Sequence, residues 1–197
     1  MDSQAARAET RPIVTVFGSA RPQEGEPAWD EAYAVGRRIA EAGWTLCNGG
    51  TSGTMRATAR GAREAGGRTL GVTMDIYIGD TPNDWLDEEV RVADLFTRLQ
   101  RLIFPASGFI CLRGGSGTLA EWALTWTLLA SGLIPSVPLV LLGREWQDLL
   151  DTIRAGMLPR ESDWSHVQVA ATIDEAMAIL AARMPGAGVA APEEQRR

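Results

Sequence analysis

The sequence contains no lysine: all nineteen basic residues among its 197 are arginine. That absence excludes chemistry built on a lysine Schiff base, pyridoxal-phosphate catalysis included, and it excludes a Walker A loop with its lysine. Histidine is nearly missing too, with His166 alone. A multi-histidine metal site or a Ser-His-Asp triad has little material, so no metal and no other cofactor is expected. The two cysteines, Cys47 and Cys111, form neither a CxxC motif nor a disulfide framework. Each ends an apolar run and reads as a buried thiol, the pair in adjacent strands. Basic residues form no block and the net charge is −6, which argues against nucleic acid as a partner. No apolar run approaches membrane-spanning length, and the N-terminus lacks an apolar signal core. A soluble, cytoplasmic protein with no membrane partner is expected.

What is present is organised around Gly108–Glu121. Its apolar run Gly108-Phe109-Ile110-Cys111-Leu112 stops at Arg113-Gly114-Gly115-Ser116-Gly117, and a helical pattern starts at once. A strand, a glycine turn and a helix N-terminus in fourteen residues make a phosphate cradle, because glycines admit close approach and the helix start offers unpaired N–H groups. A phosphate cradle alone does not need the carboxylate of Glu121, so chemistry is suspected there. Two further glycine turns follow apolar runs: Gly18-Ser19 after Ile13–Phe17, and Asn48-Gly49-Gly50-Thr51-Ser52-Gly53-Thr54 after Trp44–Cys47.

Strands alternate with helices along the chain. Helices are expected from Asp30 to about Ala42, Thr54 to Ala65, Asp94 to near Pro105, Thr118 to about Ser131, Glu145 to Gly156 and Thr172 to Met184. Further strands are expected at Arg68–Thr73, Glu89–Val92, Val137–Leu142 and His166–Val169. The pattern predicts an α/β fold: a Rossmann-like, doubly wound parallel sheet with helices on both faces, in a single domain over residues 12–184. Residues 1–11 read as a flexible arm and residues 185–197 as a disordered tail. Ligands of such sheets bind at the carboxyl ends of the strands, so the three glycine turns should converge on one crevice. Met74–Asp87 is a long polar loop, either a lid or surface decoration. The apolar run Leu119–Leu129, with Trp122 and Trp126, implies burial on more than one side and a subunit interface.

Each candidate residue has a plainer role beside the functional one. Gly115-Ser116-Gly117-Thr118-Leu119-Ala120 fits the dinucleotide fingerprint, but it lies late in the chain, and beyond Glu121 the nearest later acidic residue is Glu145, past the next strand. Thr118-x-x-Glu121 is a capping box, which is compatible with a chemical role for Glu121. Arg98 and Arg101 could form a solvated helix face. Asn48 and Ser19 suit turns, Trp122 and Trp126 suit a core or interface, and His166 suits a structural position.

Arg113-Gly114-Gly115-Ser116-Gly117-Thr118-Leu119-Ala120-Glu121 resembles the P-G-G-x-G-T-x-x-E motif of the Lonely Guy (LOG) family, nucleoside 5′-monophosphate phosphoribohydrolases often mislabelled lysine decarboxylases. Phe17-Gly18-Ser19 resembles the family's first turn, Asn48–Met55 its G-G-G-x-x-G-x-M loop, and Gly66-Gly67 to Gly71-Val72 the following strand entry. Arg98 stands where the family keeps a catalytic arginine. The similarity spans about Ile13 to Ile153. The resemblance implies a homodimer that hydrolyses the N-glycosidic bond of an AMP-like nucleotide, releasing a purine base of adenine or cytokinin type and ribose 5-phosphate. It implies that Arg98 and Glu121 are catalytic, and that Gly18, Ser19, Gly49, Gly50, Gly53, Thr54 and Gly114, Gly115, Ser116, Gly117, Thr118 bind substrate and phosphate. The chain departs from the pattern at Arg113 (proline in the family), Leu99 (lysine) and Asn48 (glycine). A non-catalytic carrier or sensor of a nucleotide or of molybdenum cofactor on the same fold is the second reading.

Overall fold

The computed structural model describes residues 11–75 and 81–184. The expected arm up to Thr10, the tail from Pro185, and residues 76–80 of the long loop, Asp80 included, lie outside the described residues. Among the described residues the chain runs β1 (Ile13–Phe17), α1 (Pro27–Glu41), β2 (Thr45–Asn48), α2 (Thr54–Glu64), β3 (Arg68–Met74), β4 (Glu88–Val92), α3 (Leu95–Ile103), β5 (Gly108–Cys111), α4 (Ser116–Ala130), β6 (Leu139–Leu142), α5 (Glu145–Gly156), a 3-10 helix (Glu161–His166), β7 (Val167–Ala170) and α6 (Ile173–Arg183).

The strands form one parallel sheet in the order β4-β3-β2-β1-β5-β6-β7. The chain winds outward from β1 to one edge, returns through α3, and winds from β5 to the other edge. The reversal between β1 and β5 opens the crevice where such sheets bind ligands. This is the expected Rossmann-like α/β fold in a single domain.

Alternation along each strand divides the core in two. Val14, Val16, Leu46, Ile110, Leu112, Val140 and Leu142 pack with Trp29, Val35 and Ile39 of α1, Ala57 and Ala62 of α2, and Leu180 of α6. Phe17, Cys47, Phe109, Cys111, Leu139 and Leu141 pack with Leu99 and Leu102 of α3, Trp122 and Leu129 of α4, and Trp146 and Leu150 of α5. The buried hydroxyl of Thr15 finds its acceptor in the Leu102 carbonyl, 2.8 Å away. The apolar content of α4 is thus partly explained within the chain: Trp122 is buried, stacks on Trp126 at 5.6 Å, and Trp126 lies 4.6 Å from Trp164.

Several expectations are corrected. Cys47 and Cys111 are buried thiols but not in adjacent strands; β1 lies between them, with Thr15 beside Cys47 and Phe17 beside Cys111. Local pattern marks a strand without marking its neighbour. Helix α1 starts at Pro27 rather than Asp30, because proline is preorganised for the first helical position and lacks an N–H where none is needed. Helix α4 starts at Ser116 with Gly115 as its N-cap residue and no side-chain cap, so Thr118 and Glu121 form no capping box. The 3-10 helix at Glu161–His166, anchored by buried Trp164, follows from no local pattern. Asp94 does cap α3, accepting from the Thr97 N–H at 3.0 Å.

Candidate functional site at the β1–β5 crossover

The three glycine turns meet, and carbonyls of the first turn tie them together. The Ser19 carbonyl accepts from the Thr54 N–H at 2.8 Å and from the Thr54 hydroxyl at 3.2 Å. The Gly18 carbonyl accepts from the Thr118 hydroxyl at 2.7 Å. Thr54 and Thr118 are both buried, so their hydroxyls join turn to turn. Gly53 has φ +61 and packs against the backbone of Ser19 and Ala20, a place no side chain could share.

The second turn is shaped from below. The Asn48 amide donates to the Met55 carbonyl and the Thr58 hydroxyl, both at 2.9 Å, and its oxygen accepts from the Gly50 N–H at 2.8 Å. Asn48, expected as a turn residue, is instead the last residue of β2, fully buried, and shapes the turn through its side chain. Asn83 completes the loop, donating to the Gly50 and Thr51 carbonyls at 3.0 and 3.1 Å. Sequence reasoning missed Asn83, since nothing in the spacing of a long polar loop marks one amide as buried. Ser19 serves locally, its hydroxyl oxygen accepting from the Arg21 N–H at 3.2 Å.

Arg98 and Arg101 part company. With Asp94 as cap, Arg98 falls on the sheet-facing side of α3 and is only 7% exposed, while Arg101 is exposed. Arg98 Nη2 donates to the Gly49 carbonyl at 3.1 Å. Gly49 is fitted to this contact: a Cβ there would collide with the Arg98 guanidinium and lie 2.6 Å from Met55 Sδ. Leu99, where the family has lysine, is buried in the core.

Glu121 stands on α4, facing Arg98 across the crevice. Burial pushes its carboxyl up to about 7, against the pull of the Arg98 charge in the other direction. The Cys111 thiol is pushed up by its own burial and then by the Glu121 charge, which puts the carboxylate near the end of β5. Arg98 is buried and Glu121 half-buried, and the Arg98 charge offsets only part of what burial costs the carboxylate. A carboxyl with a value near neutrality beside a cation is what proton transfer requires.

Beside this pair lies the anion cradle. Gly114, Gly115, Ser116 and Gly117 are exposed. The first amide of α4 to bond back along the helix is Leu119, to the Gly115 carbonyl at 3.0 Å, so the amides ahead of it have no intrahelical acceptor. The buried Gly50 and Gly53 support this crevice from the second turn. His166 ends the 3-10 helix just before β7 rather than beginning the strand, its Nδ1 3.4 Å from the Ser136 hydroxyl.

A protein of Mycobacterium marinum named cytokinin riboside 5′-monophosphate phosphoribohydrolase is 38% identical over 116 residues, which are 58% of this chain and 62% of that protein. The chain thus spans less than two thirds of that curated relative. The molybdenum cofactor binding protein from Rippkaea orientalis superposes with a TM-score of 0.71 at 22% identity, over 89% of this chain and 98% of its own, and shares the fold. The molybdenum cofactor carrier protein of Chlamydomonas reinhardtii superposes with a TM-score of 0.62 at 28% identity, over 85% of this chain and 95% of its own. Residues 11–131 match the SLOG cluster4 family; with well over half of its length matched, this chain belongs to that LOG-like family.

Proposed function

We propose that the protein hydrolyses the N-glycosidic bond of a purine nucleoside 5′-monophosphate, of adenine or cytokinin type, to the free base and ribose 5-phosphate. The observation that carries this reading is the Arg98–Glu121 pair beside an open helix N-terminus. The 5′-phosphate sits on the amides of Ser116, Gly117 and Thr118, within the turn that starts at Gly114. That anchor places the ribose over Glu121. As the bond from C1′ to the base nitrogen breaks, positive charge develops on the sugar, and the Glu121 carboxylate stabilises it. Water adds to C1′; Glu121, with a value near 7, is suited to take the proton that water loses. The proton the departing base needs comes from solvent; Arg98, whose guanidinium keeps its proton, holds the position of the carboxylate. The gain expected from one such positioned acid–base group is roughly 10²- to 10⁴-fold.

Two copies complete the protein in this reading. Leu119 on α4 and Leu95 and Phe96 on α3 are exposed apolar residues near the site, and a second copy would cover them.

The test is incubation of purified protein with AMP and N6-isopentenyl-AMP, with free base followed by chromatography and Glu121→Ala as control. Base release that the substitution abolishes supports the hydrolase. The likeness to a molybdenum cofactor carrier at 28% identity favours a second reading, a carrier of a nucleotide-like ligand. Saturable nucleotide binding without base release, and with affinity kept in Glu121→Ala, would establish that one.

A further inference from the structure

Arg113 occupies the residue just ahead of the anion cradle, and it pairs with a carboxylate from another element. Its Nε lies 3.2 Å from Glu145 Oε1, at the first position of α5. Glu145 is aimed there by the turn before it. Gly143 has φ +118, and a Cβ on it would stand 2.6 Å from Glu145 Oε2. The carboxylate thus folds back over bare backbone. Glu31 of α1, on the other face of the sheet from α5, feels both charges: its carboxyl is pushed up by burial and by Glu145 and pulled down by Arg113.

Glu145 does not hold Arg113 tightly. Its side chain is 72% exposed and that of Glu145 48%; an exposed pair of this kind is weak and easily exchanged. A phosphate offers a guanidinium a charge-assisted, two-pronged contact that is stronger. The cradle, three residues along the same turn, is the place where such an anion would arrive.

We propose that Arg113 is a phosphate-clamping residue of this site, and that Glu145 is its competitor when the site is empty. On ligand arrival the guanidinium leaves Glu145 and closes over the outer phosphate oxygens, which the helix N-terminus does not reach. This rests on the reading that the turn at Gly114–Thr118 holds a phosphate. It sets Arg113 and Glu145 in opposition, whereas an ion pair that merely stiffens the turn would make them allies.

That opposition is measurable with full-length protein, by calorimetric titration of AMP, of inorganic phosphate and of adenosine. Arg113→Ala should weaken AMP and phosphate binding roughly tenfold or more, the scale of a lost hydrogen bond to a charged group. Glu145→Gln should tighten both by a few-fold, about the strength of an exposed ion pair. The double variant should behave like Arg113→Ala, Arg113→Lys should recover part of the loss, and adenosine binding should not respond. Weakening by Glu145→Gln as well as by Arg113→Ala would overturn the clamp in favour of a stiffened turn. Unchanged affinity in Arg113→Ala would also overturn it. Base release from AMP by the unsubstituted protein is read separately. If no base is released but the opposed shifts appear, the hydrolase reading fails and the clamp stands. If base is released but Arg113→Ala binds normally, the reverse holds.

Discussion

Replacing Glu121 with glutamine should stabilise the protein, and by an amount that depends on pH. The ordinary value of the carboxyl is 4.5, and burial holds it at about 7 in the fold. At about 1.36 kcal/mol per pH unit, ionising Glu121 is roughly 3 kcal/mol harder in the folded chain than in the unfolded one. The sign follows from proton counting. Between 4.5 and 7 the folded state keeps a proton that the unfolded state has released, so stability falls as pH rises through this window. Below 4.5 both states are protonated and no penalty exists; above 7 the full penalty applies. Glutamine is the neutral shape of the side chain and never ionises. Glu121→Gln should therefore match the parent near pH 4.5 and exceed it by about 3 kcal/mol at pH 8, against a total of about 5–15 kcal/mol for a typical domain. In a chain of this size that corresponds to roughly 6–12 °C in Tm. Urea unfolding of both proteins at pH 4.5, 6, 7 and 8 measures it. A stability difference that does not change with pH, or a destabilised variant at pH 8, would refute the argument that Glu121 is ionised against its surroundings. A gain in stability with complete loss of base release is the trade expected of a carboxylate held in a strained state for function.

Four further outcomes are expected. The kcat/KM for AMP hydrolysis should rise with pH up to about 7, the value of Glu121, and then level. Arg98→Met should move that limb to higher pH, because the Arg98 charge lowers the value of Glu121; the comparison between the two proteins cancels the titration of the substrate, and superimposed profiles would contradict it. Gly49→Ala should displace two flexible side-chain ends, Arg98 and Met55, and so lower turnover while costing roughly 1 kcal/mol or less in a urea titration; full activity would show that the Arg98 position is not critical. Gly36→Ala should do the opposite, leaving the crevice intact but destabilising by about 3 kcal/mol or more, since its Cβ would strike the Thr58 backbone where α1 crosses α2; a variant as stable as the parent would mean that the helices can separate there without loss.

The sequence by itself determined what depends on neighbours along the chain. The alternation of apolar runs, glycine turns and helical periods was enough for the α/β class and the parallel sheet. Asp94 marked the start of α3 because a cap is a three-residue event, and the bounds of α5 at Glu145 and Gly156 were readable from its period. The glycine turns were visible because glycine marks unusual backbone wherever it is needed. The tertiary structure decided everything that depends on which strand lies beside which. Only the order of the sheet separates Cys47 from Cys111 by a strand. Only the packing of α3 against the sheet turns Arg98 inward and leaves Arg101 in solvent, although three residues along a helix leave both on one surface in the sequence. Only the convergence of three turns commits the hydroxyls of Thr54 and Thr118 to other loops, and brings Glu145 of α5 to Arg113 at the end of β5. Local patterning is set by the geometry of a few consecutive residues, whereas burial and charge pairing are set by contacts between segments remote in the chain, and no short-range period encodes those.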